Sequence, residues 1–327
     1  MPNPENRRQF LVGAGSMAAA AAAASTPSGW LTERLAAAEQ PRSKPVPIVD
    51  THQHLWDLSQ FRLPWVKGAG TLARSFLMSD YLQASQGLGV VKTVYMEVDV
   101  DPTQHDAEIE YVTRLCQAGD NPMAAAVVSG RPADAKFAQY LARHKGNACL
   151  RGVRQVLHGP ETPAAFCLQE AFVAGVRLLG EQGWSFDLCM RSAELADGVK
   201  LVDACPDTRF VLDHCGNASV LSDDLSAWRR DIEALAGRKN VIAKISGIIA
   251  SGPGGQWSLD NLAPIINHTL DCFGPERVVF GGDWPVCTLA ASLGQWVEAL
   301  RAIVADRGRD EQRKLFHDNA VRFYRLV

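Results

Sequence analysis

Two histidines end the segment Ile48-Val49-Asp50-Thr51-His52-Gln53-His54 and stand two residues apart. In an extended strand such residues point to the same side, so both imidazoles address one region of space. Imidazole is the commonest protein ligand for divalent metals, and a pair on one strand offers two adjacent corners of a coordination sphere. A hydrogen-bonded pair at a rim is the other reading of the same spacing. Two later segments, Val211-Leu212-Asp213-His214 and Phe280-Gly281-Gly282-Asp283-Trp284-Pro285, also end an apolar run on ionisable groups. A carboxylate there costs much desolvation energy unless a cation or donors meet it. For Asp283 the alternative is a helix cap, and for His214 a hydrogen-bonded core histidine. Arg154 and Lys244 are cations on other apolar runs. Arginine presents a planar fork and lysine a point charge, so either could bind a carboxylate or sugar hydroxyls, or serve only in structural ion pairs. Glu97 ends the second run and His158 lies just past the fourth; both are candidate hydroxyl-binding residues. Trp56 and Trp284 could stack on a sugar ring or simply pack.

Chemistry of this kind needs elements that bring distant residues together. Eight short apolar runs recur after residue 47: Ile48 to His54, Val91 to Val98, Ala124 to Gly130, Leu150 to Val156, Ser185 to Met190, Phe210 to Gly216, Val241 to Gly247 and Val278 to Trp284. Helical patterns separate them. Runs this apolar suit parallel strands covered on both faces, and eight strand-helix units predict an α/β fold, a closed (β/α)8 TIM barrel spanning 48–327 as one domain. An open doubly wound sheet is the alternative, but no Gly-x-Gly-x-x-Gly follows the first strand. In a barrel the catalytic groups gather where strands end, which is where the polar residues above fall. The segment 55–80 is long for a loop and carries Trp56, Phe61, Trp65 and Phe76, which suits a binding loop or an apolar anchor to the rim.

With 33 Lys and Arg against 36 Asp and Glu, the formal charge is −3, and the basic residues are scattered. No basic field of the kind nucleic acid requires is present. At the N-terminus, Arg7-Arg8 precedes an uncharged run rich in alanine and glycine from Val12 to Ala24. That pattern resembles a twin-arginine export signal, expected over 1–38 and cleaved, followed by a linker at 39–47. The run is too weakly apolar for a stable membrane anchor. The expectation is therefore a periplasmic or otherwise exported protein, with the twin-arginine machinery as a partner. The eight cysteines show no Cys-x-x-Cys spacing and mostly have apolar neighbours, so they read as buried thiols rather than a disulfide framework. Cys215 and Cys287 adjoin the site segments, which leaves a nucleophilic role open.

Six ordered blocks carry a family resemblance: Val-Asp-Thr-His-Gln-His-Leu-Trp-Asp, Leu-Arg-Gly-Val-Arg-Gln, Val-Leu-Asp-His-Cys-Gly, Lys-Ile-Ser-Gly, Phe-Gly-Gly-Asp-Trp-Pro-Val and Asn-Ala-Val-Arg-Phe-Tyr. They resemble the amidohydrolase-related branch of the amidohydrolase superfamily, and within it the group of L-fuconolactone and L-rhamnonolactone hydrolases. The resemblance implies a barrel of the metal-dependent-hydrolase type and water-mediated attack on a carbonyl. It implies His52, His54, His214 and Asp283 as the central constellation and metal ligands. The superfamily's binuclear pattern adds a carboxylated lysine or glutamate on the fourth strand and a histidine on the fifth. Here those strands offer Arg151, Arg154, Asp187 and Cys189, so the expectation is zero or one divalent ion, zinc or similar.

The mechanism expected on this basis has Asp283 take a proton from water as it attacks a lactone carbonyl. With a metal, the ion bound by His52, His54 and His214 would lower the water pKa, and without one the same imidazoles and Arg154 would polarise the carbonyl. Asp50 is expected to orient a histidine. The substrate is expected to be a small lactone or sugar acid. A nonoxidative decarboxylase or another carbonyl hydrolase on the same scaffold is the alternative, and a non-catalytic periplasmic sugar-acid-binding protein a third.

Overall fold

The computed structural model describes residues 45–252 and 255–326. The expected export signal, and the linker up to residue 44, lie outside the described residues.

Each apolar run forms a strand: β1 Ile48–Gln53, β2 Val90–Met96, β3 Met123–Ser129, β4 Leu150–Val156, β5 Ser185–Cys189, β6 Arg209–Leu212, β7 Val241–Ile245 and β8 Val278–Phe280. Strands adjacent in sequence are adjacent in the sheet, and each neighbouring pair is parallel. Parallel neighbours require a crossover, and a helix of seven residues or more follows each strand. These are α1 Met78–Ala84, α2 His105–Ala118, α3 Phe137–Arg143, α4 Glu170–Glu181, α5 Leu195–Ala204, α6 Ser226–Ala236, α7 Leu259–Phe273 and α8 Leu293–Ile303. Helix α7 shows why they dock: Leu262, Ile265, Ile266, Thr269, Leu270 and Phe273 recur every three or four residues and form one buried stripe. Where β1 meets β8, Gln53 bridges Trp284, Thr51 Oγ1 donates to the Phe280 carbonyl at 2.6 Å, and His54 N–H donates to the Trp284 carbonyl at 2.8 Å. The architecture is a (β/α)8 TIM barrel.

Inside the barrel, Val49, Val94, Ala125, Val211, Ile242 and Val279 form one apolar cluster. The helical stretch from Arg309 to Tyr324 does more than cover the outer wall, since Ala320, Tyr324 and Leu326 join this interior cluster. Arg151 Nε donates to the Tyr324 carbonyl and an Arg209 Nη to the Phe323 carbonyl, each at 2.6 Å, which ties that stretch to the strand starts.

Strand β1 is bulged. Asp50 pairs with Thr93 but Gln53 with Tyr95, three residues against two. A bulge re-aims the side chains beyond it, so Val49 joins the apolar layer while His52 and His54 both face the site at the other end. Strands β6 and β8 are shorter than their apolar runs. The chain leaves extended geometry at His214, with φ 54°, and at Asp283, with φ 52°.

The cysteine expectation fails for one pair. Cys116, near the end of α2, and Cys149, just before β4, form a disulfide across 33 residues with their Cα atoms 6.3 Å apart. Their proximity depends on how α2 packs beside β4, which residue spacing does not encode.

Candidate active site

His52, His54, His214 and Asp283 come together at the strand ends. The His52 ring lies 4.8 Å from that of His54 and 4.5 Å from that of His214, centroid to centroid. Asp283 Oδ1 lies 3.5 Å from His52 Nε2 and 3.3 Å from His54 Nε2. Each group has its own support. His54 Nδ1 donates to the Met96 carbonyl at 3.0 Å, and His214 Nδ1 is hydrogen-bonded to Ser246 Oγ at 2.9 Å. Asp50 holds backbone rather than an imidazole: Oδ1 accepts the N–H of His52 at 3.0 Å and of Gly282 at 2.7 Å, and Oδ2 accepts Tyr81 O–H at 2.8 Å. It thereby fixes the turn that presents Asp283.

Glycines near the site are required by close approach. A Cβ on Gly281 would lie 2.7 Å from the Cβ of His52, and one on Gly282 would lie 2.4 Å from Asp50 Oδ2. Gly247 has φ +62°, and a Cβ there would come within 2.3 Å of His214 Nδ1. Any side chain at 247 would drive His214 out of place.

Arg154, 4% exposed, is the site's cation. Its Nε donates to Glu97 Oε1 at 2.6 Å, Nη2 to the Glu97 carbonyl at 2.9 Å, and Nη1 to Asp213 Oδ2 and His52 Nε2, each at 3.2 Å. Burial works against its charge, but Glu97 above all outweighs that and keeps it protonated. Below the site Lys244 lies 2.9 Å from both Asp187 Oδ2 and Asp213 Oδ1. Burial pushes Asp213 up, yet the Lys244 ammonium and nearby imidazoles hold it well below the usual carboxylate range. Burial, with Lys244 adding to it, pushes His52 well down, and burial also lowers His214 and His158, which favours neutral imidazoles.

These groups floor a cavity of about 800 Å³. Of the expected site residues, His54, His214, Asp283, Arg154, His158 and Trp56 line it. His52 is fully buried directly behind them. Three expectations for substrate binding are corrected. Lys244 has no exposed surface and is held between two aspartates beneath the site. Glu97 is equally buried and holds Arg154. Trp284 is 3% exposed and packs edge-on to Phe76 and Tyr81 instead of lining the cavity. The 55–80 loop divides: Trp65 lines the cavity half-buried, whereas Trp56, although at the cavity wall, has no exposed surface and is core with Phe61 and Phe76, so its expected stacking on a substrate ring is corrected too. Burial pushes the Cys215 thiol up to about 12 and the Cys287 thiol well above its usual value, so neither supplies a thiolate.

Residue types and spacing gave no warning of Asp99 and Asn217, both cavity-lining and both at positive φ, 49° and 54°. Asp99 is kept in that conformation by its N–H donating to Glu97 Oε2 at 2.6 Å, while an Arg131 Nη donates to its Oδ1 at 2.6 Å. A nonglycine residue held in the left-handed region at a cavity wall is a recurrent mark of function. Only tertiary structure could reveal it here.

The donors present fit a divalent ion. With the Nδ1 hydrogen of His54 given to Met96, Nε2 faces Asp283 Oδ1 at 3.3 Å, a spacing that a shared cation or a proton between the two atoms would fill. Ligand atoms of His52, His214 and Asp283 all lie within 4.8 Å of one another. Imidazole and carboxylate together suit zinc and its neighbours.

Behind Glu97, Glu108 is fully buried. Its Oε1 accepts Tyr95 O–H at 3.0 Å and its Oε2 accepts Ser129 N–H at 2.9 Å. Burial, with Glu97 adding to it, pushes this carboxyl from 4.5 up to about 7. Between those values the folded chain binds a proton that the unfolded chain has released, so this group's contribution to stability falls as pH rises from about 4.5 to 7. Unfolding by urea at pH 5 and pH 8 should therefore show wild type losing on the order of 3 kcal/mol relative to Glu108→Gln. A difference between the two proteins that does not change with pH would refute the assignment.

A family model described as amidohydrolase matches residues 49–326. The L-fucono-1,5-lactonase of Burkholderia multivorans is 30% identical over 296 residues, covering 85% of this chain and 96% of that protein. A crystal structure of an amidohydrolase from Burkholderia multivorans with bound zinc superposes with a TM-score of 0.77 at 26% identity, over 86% of this chain and 100% of that one. The manganese complex of 5-carboxyvanillate decarboxylase from Novosphingobium aromaticivorans shares the fold alone, with a TM-score of 0.62 at 14% identity over 86% of this chain and 96% of that one.

Proposed function

Because the chain belongs to the amidohydrolase family, we propose that this hydrolase opens a neutral, sugar-derived lactone to its hydroxy acid. The observation that carries the reading is the convergence of the Asp283 carboxylate, three imidazoles and the Arg154 guanidinium on one point at the floor of the cavity. Asp283 stands where a base must be to take a proton from water attacking a bound carbonyl. Arg154 has five N–H groups. Four of them are engaged, so one Nη2 hydrogen remains without a partner among the described residues to meet a developing oxyanion. In the ion-free site His214, its Nδ1 held by Ser246 Oγ, is placed to join it through Nε2. His52, His54, His214 and Asp283 would hold a divalent ion, and such an ion supplies Lewis acidity and a lowered water pKa.

The cavity lining argues for a neutral substrate. Arg154 is the one arginine or lysine among the described lining residues, and it is already committed to Glu97 and Asp213. Asp99, Asn217 and His158 suit hydroxyl groups, and Trp65 offers an apolar face for a ring. Among the described lining residues, an aromatic acid entering for decarboxylation would find a single Arg154 N–H for its carboxylate and no second arginine or lysine. The Arg7-Arg8 pair before its uncharged run supports export by the twin-arginine machinery and a periplasmic location.

A pH-indicator screen of aldonolactones, with and without chelator, tests this. Acid should appear as an aldonolactone disappears, and the chelator arm reads how far an ion contributes. Silence on every aldonolactone, with carbon dioxide released from a hydroxybenzoate, would replace the reading with the decarboxylase.

A further inference from the structure

The contact between Arg154 and His52 bears on how this site handles metal. A guanidinium only donates and does not deprotonate in proteins. Arg154 Nη1, 3.2 Å from His52 Nε2, is therefore bonded to it only when Nε2 carries no hydrogen. The ring hydrogen then sits on Nδ1, facing Asp213 Oδ1 at 3.6 Å. The same Nε2 lies 3.5 Å from Asp283 Oδ1, on the side where a shared ion would sit. One lone pair serves one partner. An ion that takes His52 Nε2 must break the bond to Arg154 and remain beside a cation that cannot withdraw, because Glu97 Oε1, the Glu97 carbonyl and Asp213 Oδ2 hold it at 2.6, 2.9 and 3.2 Å.

We propose that Arg154 is a resident cation that competes with a divalent ion for His52, so that this one side chain holds metal affinity down and keeps the ion-free site organised. The inference rests on the four-residue site used for the proposed function, but on no particular substrate.

The test is zinc affinity of the full chain after chelator treatment, read by competition with a chromogenic chelator in the absence of lactone. Arg154→Met combined with Glu97→Gln removes both partners of the buried pair and leaves no carboxylate stranded. The double variant should bind zinc at least about tenfold more tightly, the lower end of the range over which groups supporting a ligand tune metal affinity. Equal or weaker binding by a double variant with wild-type circular dichroism overturns the proposal. Nitrogen NMR of histidine in metal-free wild type gives a test that does not depend on the variant folding: His52 should carry its hydrogen on Nδ1, and an Nε2–H ring would end the idea. A chain that passes both yet opens no aldonolactone would remove the proposed function and leave this inference standing; the reverse pattern would do the opposite.

Discussion

Asp283→Asn should lower kcat on the best aldonolactone at least about 100-fold, the scale on which loss of a positioned general base is felt. The substitution isolates chemistry well. Asparagine matches aspartate in size and adopts the left-handed region at least as readily, so the φ of 52° at this position is no obstacle. The side chain is 5% exposed and faces His52 and His54, so shape is preserved where packing is tight. What disappears is a negative charge able to accept a proton from water. KM should move much less than kcat, because the base acts on water and the lactone is bound by the walls. Excess zinc should fail to restore the rate, which separates loss of the base from loss of a metal ligand. Turnover within a few-fold of wild type would remove Asp283 from the mechanism.

Lys244→Met should destabilise the fold by about 3–5 kcal/mol, the usual result of deleting one partner from a buried ionic cluster. Lys244, Asp187 and Asp213 are all fully buried, and the ammonium lies 2.9 Å from a carboxylate oxygen of each aspartate. Burial opposes the ammonium charge, but the two carboxylates outweigh it and raise Lys244 above the ordinary lysine value. Methionine fills much of the same space and removes the charge, leaving Asp187 without its ion-pair partner. Urea unfolding followed by circular dichroism measures the loss. Adding Asp187→Asn to Lys244→Met should recover part of it, since the stranded carboxylate is then gone. A loss under about 1 kcal/mol, the scale of an ordinary surface change, would show that the cluster is not what holds this layer together.

The corrections share one cause. Glu97, Lys244 and Trp284 have the residue types that bind substrates, and they fall near the ends of strands, as Arg154 does. Whether such a residue reaches the cavity depends on which layer of the barrel it enters and what already occupies that layer. Lys244 meets Asp187 of β5 and Asp213 just past β6, Glu97 meets Arg154, and Trp284 meets aromatic rings from the segment after β1. None of those partners is near in sequence. The disulfide between Cys116 and Cys149 was hidden for the same reason.

Local regularities were legible in the chain alone. Eight apolar runs, their alternation with helical patterns, and the His-x-His and Gly-Gly-Asp endings are properties of short segments, and burial of apolar surface turns them directly into strands, helices and strand-end polar groups. That is enough to specify a barrel and to nominate His52, His54, His214 and Asp283. The electrostatic identity of the site belongs to the tertiary structure: the bulge that turns both β1 histidines inward, the left-handed turns that present His214 and Asp283, and the anchoring of Arg154 against His52. Hydrogen bonds and ion pairs act over a few ångströms between residues dozens to hundreds of positions apart, so only the closed barrel decides which charges meet.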